Sequence, residues 1–303
     1  MEKEIQGKNA IDKSFVIESI RACMPSDKTR HKGQAGRIGI IGGSLEYSGA
    51  PYYAGISALR AGADLVHIFC ESSAAIPIKC YSPELIVHPL LDSTDAQVKI
   101  TPWLDRLHAV VIGPGLGREA ATFKVVTAFI GAIKERKIPL VIDADGLFLI
   151  TENLDLLKGF ESPVVLTPNE IEYQRLCNRA GGPSGLIALG SNITVLKKGE
   201  EDEVLSCHEV QWKSNTGGST RRCGGQGDIL SGSIATFLFW TTSNQDKLNT
   251  NVDKAALAAS VSCYAACAIV RKCNAKAYKE MGLGMLASDM IKYVPQSFEE
   301  FIS

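Results

Sequence analysis

In the stretch RRCGGQGDILSG (221–232), Asp228 stands directly behind Gly224, Gly225 and Gly227 and ahead of an apolar run at helical spacing, Ile229, Leu230, Ile234, Phe237 and Leu238. The run predicts a helix whose N-terminus begins at Asp228, and the glycines leave their backbone amides unobstructed. Amides gathered at a helix start make an anion hole, because the unsatisfied N–H groups and the helix dipole both favour negative charge. Phosphate is welcome there, and the dipole is expected to keep Asp228 ionised. A carboxylate beside a phosphate site can take the proton from a hydroxyl that attacks phosphorus, the general-base part of phosphoryl transfer. A plain structural reading is also open, in which Asp228 is an N-cap. The three glycines and the pair Arg221 and Arg222, whose guanidiniums can hold phosphate oxygens bidentately, favour the chemical reading.

The elements that must position this stretch are legible as short Val- and Ile-rich runs alternating with helical patterns. RIGIIGG, DLVHIFC, ELIVHPL, AVVIGPG, LVIDADG, VVLTPNE and ITVLKKG read as strands buried on both faces. Between them APYYAGISALRAGA, REAATFKVVTAFIGAIKERK, LFLITENLDLLKG and EIEYQRLCNRAGG read as helices, which predicts a mainly parallel sheet covered by helices. EVLSC and EVQWK, joined only by His208, are predicted to pair antiparallel at a sheet edge. Two small-residue helices follow, DILSGSIATFLFW and VDKAALAASVSCYAACAIVRK, separated by the loop-like WTTSNQDKLNTNVD. Unusual residues gather where strands end: Gly42, Gly43 and Ser44; Gly113, Pro114, Gly115 and Gly117; Asp143, Asp145 and Gly146; Thr167, Pro168, Asn169 and Glu170; Lys197, Lys198 and Gly199. Ligands in open α/β sheets bind at that edge. GPGLG is GxGxG and not the dinucleotide fingerprint, no GxxxxGK[ST] loop occurs, and GLGMLA at Gly282 follows no strand and reads as a helix junction.

The 303 residues are 45% hydrophobic and 21% charged, the balance of a globular chain with a sizeable core. Thirty-two basic against thirty-three acidic residues leave a charge of −1, so no global field draws the chain to nucleic acid or an anionic membrane, and an anionic ligand must be held locally. The nine cysteines are scattered, without CxxC or zinc spacing, and read as reduced thiols, with Cys263 and Cys267 as helix packing. The first residues show no signal-peptide core, and no segment is expected to reach a membrane span of roughly 18 apolar residues. The cytosol is the expected compartment. Residues 1–30 read as a helical arm and 31–303 as one domain. The small-residue helix Ala255 to Val270 suits either a homo-oligomer contact or burial within the monomer.

The motifs carry a family likeness. GGQGDILSG resembles the anion-hole and catalytic-base motif of the ribokinase-like superfamily, and NEIE (Asn169, Glu172) its NxxE element, which is associated with magnesium and phosphate. HKGQAGRIGIIGGSLEYSGAPYYAGISALRAGADL, VVIGPGLGRE, VIDADGL, LTPNEIEY, KKGEED and STRRCGGQGDILSG, in this order, are similar to the ATP-dependent NAD(P)H-hydrate dehydratases, from about His31 to the last helix. The resemblance implies a ribokinase-like α/β fold, a mainly parallel central sheet flanked by helices on both faces, and repair of hydrated NADH and NADPH at the expense of ATP. Asp228 would deprotonate the C6 hydroxyl for phosphorylation, with the amides of Gly224, Gly225 and Gly227 stabilising the transferred phosphoryl group. ATP would meet Lys198, Gly199, Glu200, Glu201 and Asp202, then Gly218, Ser219, Thr220, Arg221, Arg222, Cys223, Gly224, Gly225, Gln226 and Gly227. The hydrated dinucleotide would meet Gly117, Asn169, Glu170, Ile171, Glu172, Tyr173, Gln174, Arg175 and Asp228, with Gly49 and Ala50 near its nicotinamide ring. Magnesium would sit on phosphate oxygens and water, with Glu172 reaching it through water. The fused epimerase domain of some bacterial relatives is not in this chain, so the resemblance implies action on the 6S epimer and reliance on a separate epimerase for 6R. A small-molecule kinase of the same superfamily, releasing a stable phosphorylated product, a non-catalytic nucleotide-binding protein and a Rossmann oxidoreductase are the alternatives.

Overall fold

The computed structural model describes residues 11–27, 29–208, 210–248 and 251–303. Of the expected N-terminal arm, residues 1–10 and 28 lie outside the described residues. Within it α1 (Lys13–Cys23) is capped by Asp12, whose side chain accepts from the Phe15 amide. The chain continues as β1 (Arg37–Ile41), α2 (Gly49–Arg60), β2 (Leu65–Cys70), α3 (Ser72–Tyr81), β3 (Ile86–Pro89), α4 (Ala96–Leu104), β4 (Ala109–Ile112) and α5 (Ala120–Glu135). Then come β5 (Leu140–Ile142), α6 (Ala144–Glu152), β6 (Val164–Leu166), α7 (Glu170–Ala180), α8 (Pro183–Ile187), β7 (Ile193–Lys197), β8 (Asp202–Leu205) and β9 (Trp212–Ser214). Helices α9 (Gln226–Ser243), α10 (Lys254–Met281), α11 (Ala287–Ile291) and α12 (Val294–Ile302) close the chain.

All seven expected strands form, and they lie in one sheet of order β3-β2-β1-β4-β5-β6-β7-β8-β9. Every pair from β3 to β7 is parallel, while β7 with β8 and β8 with β9 are antiparallel. The edge hairpin therefore forms as expected, but its link runs through Ser206–Gln211 and not His208 alone. Strand β9 starts only at Trp212, and Glu209 lies outside the described residues. Side chains alternate between two cores, as a strand's period of two requires. Ile38, Ile40, Val66, Ile68, Val111, Val141, Val165 and Leu196 face the helices α2, α9 and α10, whereas Ile41, Phe69, Val110, Ile112, Leu140, Ile142, Leu166 and Val195 face α4, α5 and α6. The strand order reverses between β1 and β4, which is where a doubly wound sheet opens a crevice at its carboxyl edge.

The helices α3 and α4 contain Pro77 and Pro102, residues that argue against helix in a sequence, and both had escaped the periodicity. One expectation about length is corrected. The segment Lys254–Gly284 is long and apolar enough to span a membrane, and 78% of its apolar window is buried inside the protein. It is the long core helix α10, packed on α9. That burial accounts for its small residues within the monomer. Asn249 and Thr250, in the loop before it, lie outside the described residues.

Candidate active site

Helix α9 begins two residues earlier than its apolar run suggests. Its N-cap is Gly225, in a left-handed conformation at φ 95°, and the Ile229 amide donates to the Gly225 carbonyl at 3.0 Å. Asp228 is therefore the third residue of the helix, on its first turn, and not the N-cap. Glycine is required at 225 twice over: for the positive φ, and because a Cβ there would stand 2.6 Å from the Ala287 side chain and 2.9 Å from Tyr53. About two turns on, Gly232 lets α9 lie against α2, since a Cβ there would meet the Ala54 carbonyl at 2.0 Å. The approach fixes the helix start over the carboxyl edge of β5, β6 and β7.

Beneath it lies an ion pair that the spacing did not single out. Asp143, at the end of β5 and 2% exposed, accepts from Lys198 Nζ, at the end of β7, at 2.7 Å. A Cβ on Gly227 would be 3.2 Å from that ammonium and 3.7 Å from Asp143 Oδ2, so the pair sits directly under the glycine turn. The next residue, Ala144, is held at φ 48°, a left-handed conformation that costs a non-glycine residue on the order of 1 kcal/mol or more and clusters at functional sites. Gly113 of GPGLG explains the local crowding, because a Cβ there would overlap the Asp143 carbonyl.

These neighbours oppose the expectation that the helix start keeps Asp228 fully ionised. Burial, and then the like charge of Asp143, push its carboxyl up to about 7, with Lys198 pulling the other way. A helix dipole, worth about 0.3–1 kcal/mol, is outweighed by desolvation of this size. For Lys198, burial disfavours the ammonium, but Asp143 outweighs it and keeps the lysine protonated. Glu172 is raised by burial and held partly in check by the Asn169 amide. NEIE is itself a capping box: Asn169 Oδ1 accepts from the amides of Ile171 and Glu172, and Glu172 Oε2 accepts from the Asn169 amide at 2.8 Å. That box sets α7 with Glu172 toward the Lys198 cluster.

These groups line a cavity of about 670 Å³. Of the residues assigned to ATP, its wall includes Lys198, Gly199, Glu200, Asp202, Gly218, Arg222, Cys223, Gly224, Gly225, Gln226 and Gly227, and it leaves out Glu201, Ser219, Thr220 and Arg221. The arginine pair is split: Arg222 stays at the wall with Nη1 donating to the Ser219 carbonyl at 2.7 Å, while Arg221 Nε turns to the Met285 carbonyl at 3.5 Å. Of the dinucleotide set, Asn169, Glu170, Glu172 and Asp228 line the cavity. Gly117 does not, and its amide is committed to Asp145 Oδ2 at 3.1 Å. Ile171, Tyr173, Gln174 and Arg175 lie elsewhere on α7, Gln174 on Glu170 and Tyr173 under the Lys197 ammonium. Gly49 and Ala50 begin α2 outside this wall. Sequence reading missed Ala144, Leu230, Cys267, Val270, Arg271 and Asn274 as wall residues. Arg271 reaches across from α10 to bind Asp202 Oδ2 at 2.7 Å and the carbonyls of Gly199 and Glu200 at 3.0 and 2.9 Å, clamping the turn before β8.

A sequence model of NAD(P)H-hydrate dehydratase matches residues 38–296. An ATP-dependent (S)-NAD(P)H-hydrate dehydratase of Aedes aegypti is 48% identical over 293 residues, covering 95% of this chain and 86% of its own. Among solved structures, a ribokinase-like superfamily protein of Enterococcus faecalis V583 has TM-score 0.76 at 20% identity over 99% of both chains. An ADP/ATP-dependent NAD(P)H-hydrate dehydratase of Bacillus subtilis, co-crystallized with ATP/Mg2+, has TM-score 0.68 at 23% identity over 94% of this chain and 97% of its own. Both likenesses show the ribokinase-like fold.

Proposed function

The chain belongs to the NAD(P)H-hydrate dehydratase family, and we propose that Asp228 is the base with which it dehydrates (6S)-hydrated NADH and NADPH at the expense of ATP. Hydroxide is a poor leaving group and phosphate a good one. The C6 hydroxyl loses its proton to Asp228 and attacks the γ-phosphorus, releasing ADP. The ring nitrogen's lone pair then expels phosphate, and loss of the C5 proton restores the dihydropyridine. The sum is ATP and the hydrate to ADP, phosphate and NADH or NADPH, a lyase reaction.

One observation carries the assignment: Asp228 shares its cavity with Gly225 and Gly227, at the start of α9, and with Lys198, whose ammonium lies against the Gly227 turn. The amides and the cation face the place where negative charge develops, so they stabilise the transferring phosphoryl group more than the ground state. A carboxyl near 7 is also a stronger base than an ordinary aspartate while half of it remains deprotonated at neutral pH.

Magnesium suits this donor set in one way. Among the described residues no three His, Cys, Asp or Glu side chains converge on a metal position, and Asp143 and Glu172 each have an oxygen engaged already. The ion would travel on the triphosphate with its waters, Glu172 meeting it through water, and would neutralise charge on the β- and γ-phosphates. A separate epimerase would supply the S form from the R form, and the nine cysteines, all free thiols, suit the cytosol.

The test follows the near-ultraviolet absorbance of the dihydronicotinamide ring with the S hydrate of NADPH, ATP and magnesium. An ATP-dependent rise is expected, reduced by at least roughly 100-fold in Asp228→Ala. Equal rates in the variant would remove Asp228 from the chemistry, and ADP release with no restored dihydropyridine would make the protein a kinase.

A further inference from the structure

Asn274 lies on α10, is 4% exposed and belongs to the cavity wall, yet its Oδ1 has no hydrogen-bond partner. The amide cannot be turned round. Its Nδ2 donates to the Arg221 carbonyl at 3.1 Å, and a carbonyl oxygen is satisfied only by a donor, so the oxygen is the free atom. Two other side-chain atoms among the described residues share this condition, Thr242 Oγ1 and Ser297 Oγ, and neither residue belongs to the cavity wall. An unpaired buried acceptor is costly wherever it stands. Here it stands beside a binding cavity.

The surroundings suit a flat heterocycle. Val270 and Cys267 on the same helix, the Arg271 stem and the side-chain-free Gly218 form this part of the wall. A Cβ on Gly218 would be 3.9 Å from Asn274 Oδ1 and 3.6 Å from Arg271 Nη1, and Gly217 and Gly218 both have left-handed φ, 80° and 88°. No side chain on that turn stands between the cavity and the amide.

We propose that Asn274 Oδ1 selects the nucleotide base by accepting the exocyclic amino group of adenine. The proposal rests on ATP occupying this cavity. Adenine offers a donor at its 6-position, where hypoxanthine and guanine offer a carbonyl oxygen that would set acceptor against acceptor. Oδ1 is screened from solvent and Gly218 lies beside it, so on this proposal the Gly217–Gly218 turn moves aside when the base binds.

The experiment measures kcat/KM for ATP and for inosine triphosphate in the parent chain, Asn274→Leu and Asn274→Asp, with the hydrated dinucleotide saturating. The parent is expected to favour ATP by roughly tenfold or more. Asn274→Leu removes the acceptor, so ATP falls to the level of inosine triphosphate. Asn274→Asp keeps an acceptor for the amino group while losing the donor to the Arg221 carbonyl and adding a buried carboxyl, costs that apply to both nucleotides, so both fall together and the preference for ATP remains. A merely structural role for Asn274 would lower both nucleotides in the leucine variant and keep their ratio, which overturns the proposal. So does a parent chain that uses both nucleotides equally, although that result leaves the dehydratase assignment standing. Turnover with neither nucleotide would refute the dehydratase assignment, and base selection would fall with it.

Discussion

The acid limb of the pH–rate profile is set by two opposed charges, and removing each should move it in opposite directions. On the proposed mechanism deprotonated Asp228 is the active form, and its carboxyl is pushed up to about 7. The active fraction then rises from roughly one tenth near pH 6 to roughly nine tenths near pH 8, and kcat/KM for the hydrate rises with it. Asp143→Asn keeps the shape of the side chain and removes the like charge that, after burial, raises Asp228, so the limb moves to lower pH. Lys198→Met removes the charge that opposes the rise, so the limb moves to higher pH. A neighbouring charge commonly moves a carboxyl by about 1–3 units, and Asp143 and Lys198 are bonded to each other at 2.7 Å, so each partly screens the other. A displacement of about one unit, or 1.4 kcal/mol, is expected in each direction. The assay is initial rate against pH at saturating ATP. On the proposed mechanism the fully active plateau also falls in Lys198→Met, since Lys198 is the cation of the cavity wall placed to meet the phosphoryl group, but the position of the limb is independent of its height. Limbs that stay in place, or move the same way in both variants, would refute the reasoning.

The same carboxyl makes a stability prediction. The folded protein holds it above the ordinary aspartate range near 3.8, so the fold favours the neutral form, and a destabilisation sets in as pH rises from about 4 and is complete above about 7. The full shift is worth about 4 kcal/mol, less because the carboxylate keeps one side toward the cavity. Asp228→Asn should therefore be inactive yet melt higher than the parent at pH 8, with the two Tm values converging near pH 4; a gap independent of pH would contradict the raised carboxyl. Gly225→Ala forces a Cβ at φ 95° to within 2.6 Å of Ala287 and should abolish turnover by displacing the amides, whereas Gly224→Ala, where a Cβ meets nothing within 4 Å, should retain most of it in the same assay. Arg271→Met leaves Asp202 buried without its cation and should lower stability by about 3–5 kcal/mol in denaturant titration while raising KM for ATP more than it lowers kcat.

Much of the fold could be read because its signals are local. A parallel strand buried on both faces has to be apolar throughout, and all seven runs read that way became strands, although β3, at the sheet edge, is exposed at Ile86 and not buried on both faces. Helices whose signal was contradicted by a proline were lost: Pro77 and Pro102 sit in α3 and α4, where packing on the sheet outweighs the local penalty. The glycine motif likewise marked one wall of the cavity, since an unobstructed turn followed by a helical run is a property of adjacent residues. Its boundary came out two residues late because Gln226 and Gly227 carry no apolar signal, although both lie in the helix.

The electrostatics of the site could not be read in this way, and the reason is spatial. Asp143 and Lys198 are 55 residues apart; Asp143 stood out only as a member of a strand-end cluster, and Lys198 as another such member and as an ATP contact implied by the resemblance, and neither reading paired them. Strands β5 and β7 flank β6 in the sheet, which brings their carboxyl ends to the two sides of one crevice, and the close pack of α9 on α2 through Gly232 lowers Asp228 onto the pair. The ionisation of Asp228 is then decided by desolvation and by a charge from another strand, neither of which leaves a mark near residue 228. The same holds for the part of the wall supplied by α10. Cys267, Val270, Arg271 and Asn274 recur at helical spacing in a segment that reads as core, and only the fold turns this one stripe toward the β7–β8 turn and the glycines at 217 and 218. A single helix thus supplies both the apolar floor of the protein and polar atoms of the cavity wall. Substitutions along α10 should accordingly separate into two classes. Changes at Ala258, Val261 or Ala265, all fully buried, should lower stability with little effect on KM for ATP, while conservative changes at Arg271 and Asn274 should alter nucleotide kinetics in protein that still folds.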